Sequence, residues 1–276
     1  MRDLSNDSAL LAINSATVKA WSLQQLADGC VRAGIGAIAP WRDIVQAVGA
    51  EAAGRIIRDA GLSVSCLCRG GMFPAPDDAG RQAALDDNKR AVEEALAIGA
   101  GSLVLIAGGL PKGSKDIAGA RAQVCDGLAA LLEYSRAAGM PLAMEPLHPM
   151  YAADRACVNT LAHANDLCDE LGEGLGIALD AYHVWWDPDL AGQIARAGTR
   201  IITYHVCDWL VPTRDLLLDR GMPGDGMIDL KSIRAMVEAT GYDGFIDVEI
   251  FSSENWWKRD PDEVLGICLE RHRTVV

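Results

Sequence analysis

The sequence predicts an α/β protein with the (β/α)8 architecture, a TIM barrel formed as a single domain by residues 1–276. Strand-like and helix-like segments alternate along the chain, and no low-complexity tract or linker interrupts them. Four of the strand-like segments in the second half end on an acidic residue or a histidine. Because the parallel strands of a closed barrel end at one rim, this pattern predicts four polar side chains at a common site. The length also fits, since the fold commonly takes about 250 residues.

Eight short, mostly apolar runs are the predicted strands, and each is followed by a segment with helical periodicity. The predicted strands cover residues 10–15, 35–40, 62–67, 102–107, 141–145, 174–180, 200–206 and 245–250. The predicted helices cover residues 22–33, 46–60, 81–99, 117–138, 159–171, 188–198, 229–240 and 260–274. Every connection from one strand to the next is helical, which indicates a parallel sheet covered by helices.

Local signals mark the ends of these helices. Side chains typical of a helix start stand at Ser22 and Asn159, and Asp-Pro pairs stand at 187–188 and 260–261. Glycine, which commonly ends helices, stands just before the next strand at residues 34, 61, 99, 139, 172, 198 and 241. An open, doubly wound sheet is the alternative architecture. It would need a glycine-rich turn after the first strand, where residues 14–17 read Asn-Ser-Ala-Thr instead.

The four polar strand ends are the candidate metal ligands Glu145, Asp180, His205 and Glu249. Alternate residues of a strand share a face, and the residues two positions earlier are all small or polar, namely Ala143, Ala178, Thr203 and Asp247. The intervening residues are mainly bulky and apolar. The four candidate ligands are therefore predicted to face the barrel interior. Three carboxylates and an imidazole suit a divalent cation, with Mn²⁺ preferred and Mg²⁺, Co²⁺ or Zn²⁺ as alternatives.

Short motifs around these residues resemble the metal-site signatures of the xylose-isomerase-like TIM-barrel superfamily. The motifs are Met144-Glu145-Pro146, Leu179-Asp180-Ala181-Tyr182-His183, Tyr204-His205-Val206-Cys207-Asp208 and Asp247-Val248-Glu249. This superfamily includes sugar phosphate isomerase/epimerase-like proteins, ketose 3-epimerases, inosose dehydratases and endonuclease IV. The resemblance extends over the chain in βα order, and its motifs lie within residues 140–250.

The resemblance implies roles for individual residues. Glu145 and Glu249 would bind the metal and also exchange protons with a substrate carbon from opposite faces, while Asp180 and His205 complete the metal site. His183 would contact a substrate hydroxyl. The implied reaction is isomerisation or epimerisation of a sugar, sugar phosphate or cyclitol, through proton removal next to a carbonyl and a metal-stabilised enediolate.

Some positions depart from the ketose 3-epimerases, which place a glutamate six residues after the first ligand and an arginine six residues after the histidine. Here those positions hold Tyr151 and Val211, with Arg155 and Arg214 only nearby. These departures argue against membership of that subgroup. Arg214 is taken as a candidate substrate-binding residue.

Further candidates for the substrate pocket follow the strand ends. Asp208 lies three residues after His205, and Trp41 is one of several tryptophans at or just past strand ends. Aromatic faces stack well on sugar C–H surfaces. The glycine-rich residues 108–115 are interpreted as a flexible loop near the substrate. Residues 224–229 resemble the family's loop beside the metal mouth, although a plain turn before a helix explains them equally well.

His148, three residues after Glu145, is a candidate general base, because histidine titrates near neutral pH. An added base would suit the second function hypothesis, a metal-dependent lyase or dehydratase. Such an enzyme would eliminate water or an aglycone from a keto-sugar, in the manner of an inosose dehydratase or of a subunit that cleaves 3-oxo-glycosides or C-glycosides. A non-catalytic sugar-binding barrel is the third hypothesis.

Composition excludes other classes of function. A net charge of −13 argues against binding to nucleic acid. All five histidines lie at 148 or later, whereas the three-zinc site of endonuclease IV needs early ones, so one metal ion is expected. No apolar run is long enough to span a membrane, and no signal peptide is recognised, which predicts a cytoplasmic protein. The eight cysteines are expected to be reduced and buried. The predicted partners are a small sugar or cyclitol and a second copy of the chain, with a hetero-complex as the alternative.

Overall fold

Strands and helices alternate from end to end in the computed structural model, which describes residues 2–276. The strands are β1 (Leu11–Asn14), β2 (Ala37–Ala39), β3 (Ser63–Val64), β4 (Leu67–Gly71), β5 (Leu103–Ile106), β6 (Leu142–Glu145), β7 (Leu175–Asp180), β8 (Ile201–Val206), β9 (Asp208–Trp209), β10 (Arg220–Gly221) and β11 (Ile246–Val248). The helices are α1 (Leu23–Ala33), α2 (Arg42–Val48), α3 (Ala50–Asp59), α4 (Asp78–Ile98), α5 (Ile117–Ala138), α6 (Leu161–Leu171), α7 (Ala181–Val184), α8 (Leu190–Ala197), α9 (Leu230–Ala239) and α10 (Pro261–Thr274). Among the helices of this described range, none has both the length and the apolar character needed to cross a membrane.

The main sheet is parallel and closes on itself. Its strand order is β3-β2-β1-β11-β8-β7-β6-β5-β4, and β3 and β4 are consecutive pieces of one strand interrupted at residues 65–66. The two edges meet there, because Val64 pairs with Ala100 just before β5, and Trp41 just after β2 pairs with Cys68. The result is a barrel of eight strands surrounded by helices, which confirms the predicted (β/α)8 TIM-barrel fold.

Small side chains fill the middle of the barrel, and large ones pack between the strands and the outer helices. The inner cluster consists of Ala39, Cys66, Cys68, Val104, Ala143 and Ala178. Bulky strand residues of the opposite parity belong to the large core shared with the helices, among them Leu103, Leu105, Met144, Ile177 and Leu179. This alternation follows from the two-residue period of a strand. It leaves the carboxyl-terminal rim of the barrel open for polar side chains.

Some elements differ from those predicted from the sequence. The predicted helix 46–60 is two helices, α2 and α3, because Gly49 between them has a φ of +83°. The predicted strand 62–67 breaks and then continues to Gly71 as β4. The antiparallel β9–β10 hairpin and the short helix α7 are absent from the prediction, since elements of two to four residues show no periodicity in a sequence.

The contact between β4 and β5 generates a prediction about stability. Gly71 has a φ of +102°, and a Cβ added there would overlap the carbonyl oxygen of Ile106. Gly71→Ala should therefore lower the free energy of unfolding by at least about 2 kcal/mol in urea denaturation. The matched control is Gly266→Ala on the exposed side of α10, where an added Cβ meets nothing. That substitution should raise stability by about 0.5–1 kcal/mol, and equal effects of the two would contradict the packing described here.

Candidate metal centre

The carboxyl-terminal rim of the barrel brings the four candidate ligands together. Glu145 and Asp180 are the last residues of β6 and β7, His205 is the penultimate residue of β8, and Glu249 directly follows β11. One ligand atom from each lies within 4.8 Å of those of the other three, and all four side chains are buried. The four elements are neighbours in the order β11-β8-β7-β6, so parallel pairing alone places their ends side by side.

The imidazole of His205 indicates that a cation fits among these residues. Its Nδ1 atom is buried without a hydrogen-bond partner and lies 3.9 Å from both Glu145 Oε1 and Glu249 Oε2. A buried, unpaired ring nitrogen is costly unless a ligand satisfies it. Three buried carboxylates around the same nitrogen form a donor set of the kind that divalent metals accept.

The pKa values of these groups support the same interpretation. Burial, followed by the negative charge of Glu249, raises the pKa of Glu145 to about 8. Burial opposes a charged His205 ring, yet the contacts with Cys66, Glu249 and Asp247 place the pKa of this histidine well above its ordinary value. Glu145 therefore holds a proton near neutral pH, and a bound cation would displace it.

A second layer of polar groups lies on the other side of the His205 ring. Nε2 is 3.5 Å from Asp247 Oδ2 and 3.6 Å from Cys66 Sγ, and Cys66 Sγ lies 4.0 Å from Cys68 Sγ. Ser65 Oγ donates to the Asp247 carboxylate at 2.8 Å. Asp247 thus sets the orientation of the imidazole from below, as carboxylates commonly do for metal-binding histidines. Sequence reasoning treated Cys66 as ordinary packing and missed its contact with His205.

Arg220, on β10, is a site residue that sequence reasoning missed. Its Nη1 donates to Asp180 Oδ2 at 2.9 Å and to Glu249 Oε2 at 3.2 Å. The guanidinium lies between two aromatic rings, 4.4 Å from the centroid of Tyr182 and 5.0 Å from that of Phe251. Arg220 therefore neutralises part of the buried charge. Its only sequence signal is its position four residues before the Gly224-Asp225-Gly226 turn.

Arg214, the arginine predicted to bind substrate, is placed elsewhere by the structure. Its side chain is 58% exposed and forms an ion pair with Asp219, outside the pocket. The residues after His205 form the β9–β10 hairpin. Arg214 lies in the loop of this hairpin, away from the barrel, whereas Arg220 lies on β10, close to the barrel axis. Arg220 therefore occupies the position in the pocket that was predicted for Arg214.

Asp208 is buried and supports this hairpin from inside. Its carboxylate accepts hydrogen bonds from the backbone N–H groups of Trp209, Gly224 and Ile228, at 2.9, 2.8 and 3.0 Å. It does not line the pocket. The structure therefore shows Asp208 holding the backbone of this hairpin and of the turn that follows it, away from the predicted contact with substrate.

His183 and Trp41, which the sequence predicts to bind substrate, both line the pocket. His183 Nδ1 accepts a hydrogen bond from the backbone N–H of His148 at 3.2 Å, so Nε2 carries the proton. Burial lowers the pKa of His183 to about 3, which keeps the ring neutral. Its Nε2–H faces Arg220 Nη2 at 3.1 Å, and an acceptor oxygen would satisfy both donors. Trp41 Nε1 donates to Glu249 Oε1 at 3.2 Å.

His148, the candidate general base, lies beside the pocket and does not line it. Its ring stacks on Trp209 at 4.9 Å between centroids and meets the edge of Trp186 at 5.7 Å. Its Nδ1 accepts a hydrogen bond from the backbone N–H of Met150 at 3.2 Å. Proximity to Glu145 in the sequence placed this residue near the site, but the turn after β6 directs its ring into an aromatic cluster.

A narrow pocket lies above the four ligands, with about 20 Å³ of space that a water-sized sphere can reach. It combines the carboxylates and the neutral histidine described above with apolar walls and two arginines. Its lining residues are Trp41, Ile106, Glu145, Leu147, Tyr151, Arg155, His183, Leu217, Arg220, Glu249 and Phe251. The four candidate ligands thus lie at the base of a pocket that has polar groups and apolar walls above them.

Comparison with known proteins agrees with this geometry. The family described as xylose isomerase-like TIM barrel matches residues 27–266. An inosose isomerase of Bacillus velezensis is 27% identical over 147 residues, which is 50% of this chain and 49% of that protein. The chain therefore spans about half the length of the curated relatives it matches.

Two solved structures share the fold over nearly the whole chain. Protein SMc04130 from Sinorhizobium meliloti 1021 is 60% identical, with a TM-score of 0.96, and the match covers 98% of this chain and 99% of that one. The IolI protein, solved with a bound zinc atom, is 19% identical with a TM-score of 0.83, and the match covers 96% and 97%.

The raised pKa of Glu145 generates a prediction about metal binding. Because a proton must leave this carboxyl before it can bind a cation, affinity for Mn²⁺ should rise with pH and level off above pH 8. Below that point the association constant should change about tenfold per pH unit for each proton displaced. Calorimetric titration with Mn²⁺ across this range measures the slope. Glu51→Gln, at an exposed position on α3, should leave the profile unchanged, whereas an affinity independent of pH would contradict the assignment.

Proposed function

Because the chain belongs to the xylose isomerase-like TIM barrel family, we propose that it is a divalent-metal-dependent isomerase or epimerase of a sugar or cyclitol. The observation that carries the proposal is the pair of pocket carboxylates, Glu145 and Glu249, each 3.9 Å from His205 Nδ1. They come from strands separated by β7 and β8, so they approach a ligand from different sides. Such a pair suits removal of a proton from one face of a carbon and its return to the other.

The similarity to an inosose isomerase supports a cyclitol or sugar as substrate, and the zinc in IolI supports a divalent metal. Glu145, Asp180, His205 and Glu249 would hold the metal. We take Mn²⁺ as the first candidate, with Mg²⁺, Co²⁺ and Zn²⁺ as alternatives, because three carboxylates favour a hard or borderline cation. When bound, the cation would act as a Lewis acid that polarises a substrate oxygen.

The side chains of the pocket supply the remaining chemistry. Glu249 is oriented by hydrogen bonds from Trp41 Nε1 and Arg220 Nη1, which aim its carboxylate at the pocket. Glu145 would exchange a proton with the other face of the substrate carbon. His183, with its proton on Nε2, would donate to a substrate hydroxyl. Trp41 and Phe251 would cover apolar faces of the sugar and limit the access of water.

The elimination reaction has less support. It relied on His148 as an additional base, and this ring is stacked on Trp209 with Nδ1 engaged by the backbone of Met150. With this base outside the pocket, the remaining groups favour a reaction in which the proton returns to the substrate.

Exchange of substrate hydrogen with solvent tests the proposal. Ketoses and cyclitol ketones incubated with the protein and Mn²⁺ in D₂O should gain deuterium next to the carbonyl, as read by NMR, and chelator should abolish the exchange. Glu145→Gln and Glu249→Gln should each lower the exchange rate at least about 100-fold, because each removes a proton-transfer group.

Glu254→Gln is the matched control, since Glu254 is exposed and forms an ion pair with the surface residue Lys258. It should exchange at the wild-type rate. An unsaturated product would instead support the lyase. Equal exchange by wild type and both pocket variants would contradict the assigned roles.

A further inference from the structure

Two arginines beside the pocket have no anionic partner within the part of the chain that the structure describes. Arg155 lines the pocket, and its guanidinium lies 5.7 Å from the centroid of the Tyr151 ring. Arg69 is half-buried on β4, and its Nε atom is buried without a hydrogen bond. Arg42, in the same region, shows the contrast, because it pairs with Asp87 at 2.8 Å and with Glu94 at 2.6 Å. A partly buried guanidinium without such a partner is an unusual feature.

The topology places Arg69 on a strand next to the pocket. Trp41 and Ile106 both line the pocket, and β4 is the strand between them in the closed barrel. Cys68 pairs with Trp41 on one side, and Gly71 pairs with Ile106 on the other. Arg69 therefore belongs to the same stretch of rim as these two lining residues.

Arg69 and Arg155 are close enough to affect each other. Burial lowers the pKa of Arg69, and the positive charge of Arg155 lowers it further, while Glu145 acts in the opposite direction. Arginine stays charged in proteins, so the two guanidinium groups repel each other. An anion between them would remove this repulsion and supply the missing hydrogen-bond acceptors.

The segment that carries Arg155 is held firmly in place. Cys157 N–H donates to the carbonyl of Gly108 at 2.9 Å, and Leu110 N–H donates to the carbonyl of Ala153 at 2.8 Å. A Cβ at residue 109 would lie 2.5 Å from the carbonyl carbon of Asp154, so only glycine allows this close approach of the two loops. The backbone at Arg155 is thus held in place before a ligand binds, which favours binding.

We propose that Arg69 and Arg155 bind an anionic group of the substrate, either a carboxylate or a phosphate monoester. The substrate would then be a sugar acid, a sugar phosphate or an anionic cyclitol, with its anionic end at these arginines and its reacting carbon near Glu145 and Glu249. This assignment of the reacting end rests on the proposed function, whereas binding of the anion does not. In a protein with a net charge of −13, two unpaired cations beside one pocket form a local exception that selects negative ligands.

Calorimetry with three matched six-carbon probes tests the inference: neutral glucitol, gluconate and glucitol 6-phosphate. Chelator in the buffer prevents binding through a cation. The wild-type protein should bind at least one anionic probe about tenfold or more tightly than glucitol, and the better anion identifies the group that is recognised. Arg155→Met and Arg69→Met should each abolish most of this preference, since each removes a guanidinium that hydrogen-bonds the anion. Arg55→Met, an exposed arginine on α3, is the control and should retain the preference.

Equal binding of all three probes, or a preference that survives in both pocket variants, would overturn the inference. If Arg69→Met does not fold, as shown by its thermal unfolding, Arg155→Met alone decides. A protein that prefers the anionic probe but shows no hydrogen exchange with any keto-sugar would support the anion site and contradict the proposed reaction. The two conclusions can therefore fail separately.

Discussion

Three carboxylates buried around one imidazole are the constraint that organises the rest of this molecule. Burying such charges without compensation costs several kcal/mol for each ion, by the usual order of magnitude. Arg220 offsets part of this cost through its contacts with Asp180 and Glu249, and Tyr182 and Phe251 hold its guanidinium in place. Burial, followed by the negative charge of Glu249, still raises the pKa of Glu145 to about 8. A divalent cation at the buried Nδ1 of His205 would complete the balance.

The compensating arginine comes from outside the regular βα repeat. It lies on the β9–β10 hairpin, an excursion between β8 and α9 whose backbone is gathered by the buried carboxylate of Asp208. The regular barrel therefore supplies the negative groups, and an irregular loop supplies the positive one. Loops can supply functional side chains because the strands beneath them form a rigid scaffold.

The small side chains inside the barrel also serve the site. They leave room below His205 for Asp247 and Cys66, which contact Nε2 and leave Nδ1 directed towards Glu145 and Glu249. Large residues at these inner positions would displace the ring. The orientation of the His205 ring thus depends on the packing beneath the pocket. The proposed preference for anionic ligands depends on Arg69 and Arg155.

The sequence by itself determined the eight-stranded barrel and the four residues that meet at its rim. Both follow from local regularities, namely the two-residue period of a strand and the alternation of strands with helices, which do not depend on distant contacts. The tertiary structure alone decided which side chains surround these four. Arg220 lies in the pocket where Arg214 was predicted, and Asp208 binds the backbone of its own loop. The ring of His148 packs in an aromatic cluster, and Cys66 contacts His205. The physical reason is that the sequences of irregular loops have no periodic pattern from which side-chain directions can be predicted. These directions are set by the path of the backbone and by the buried charges that the loop must satisfy.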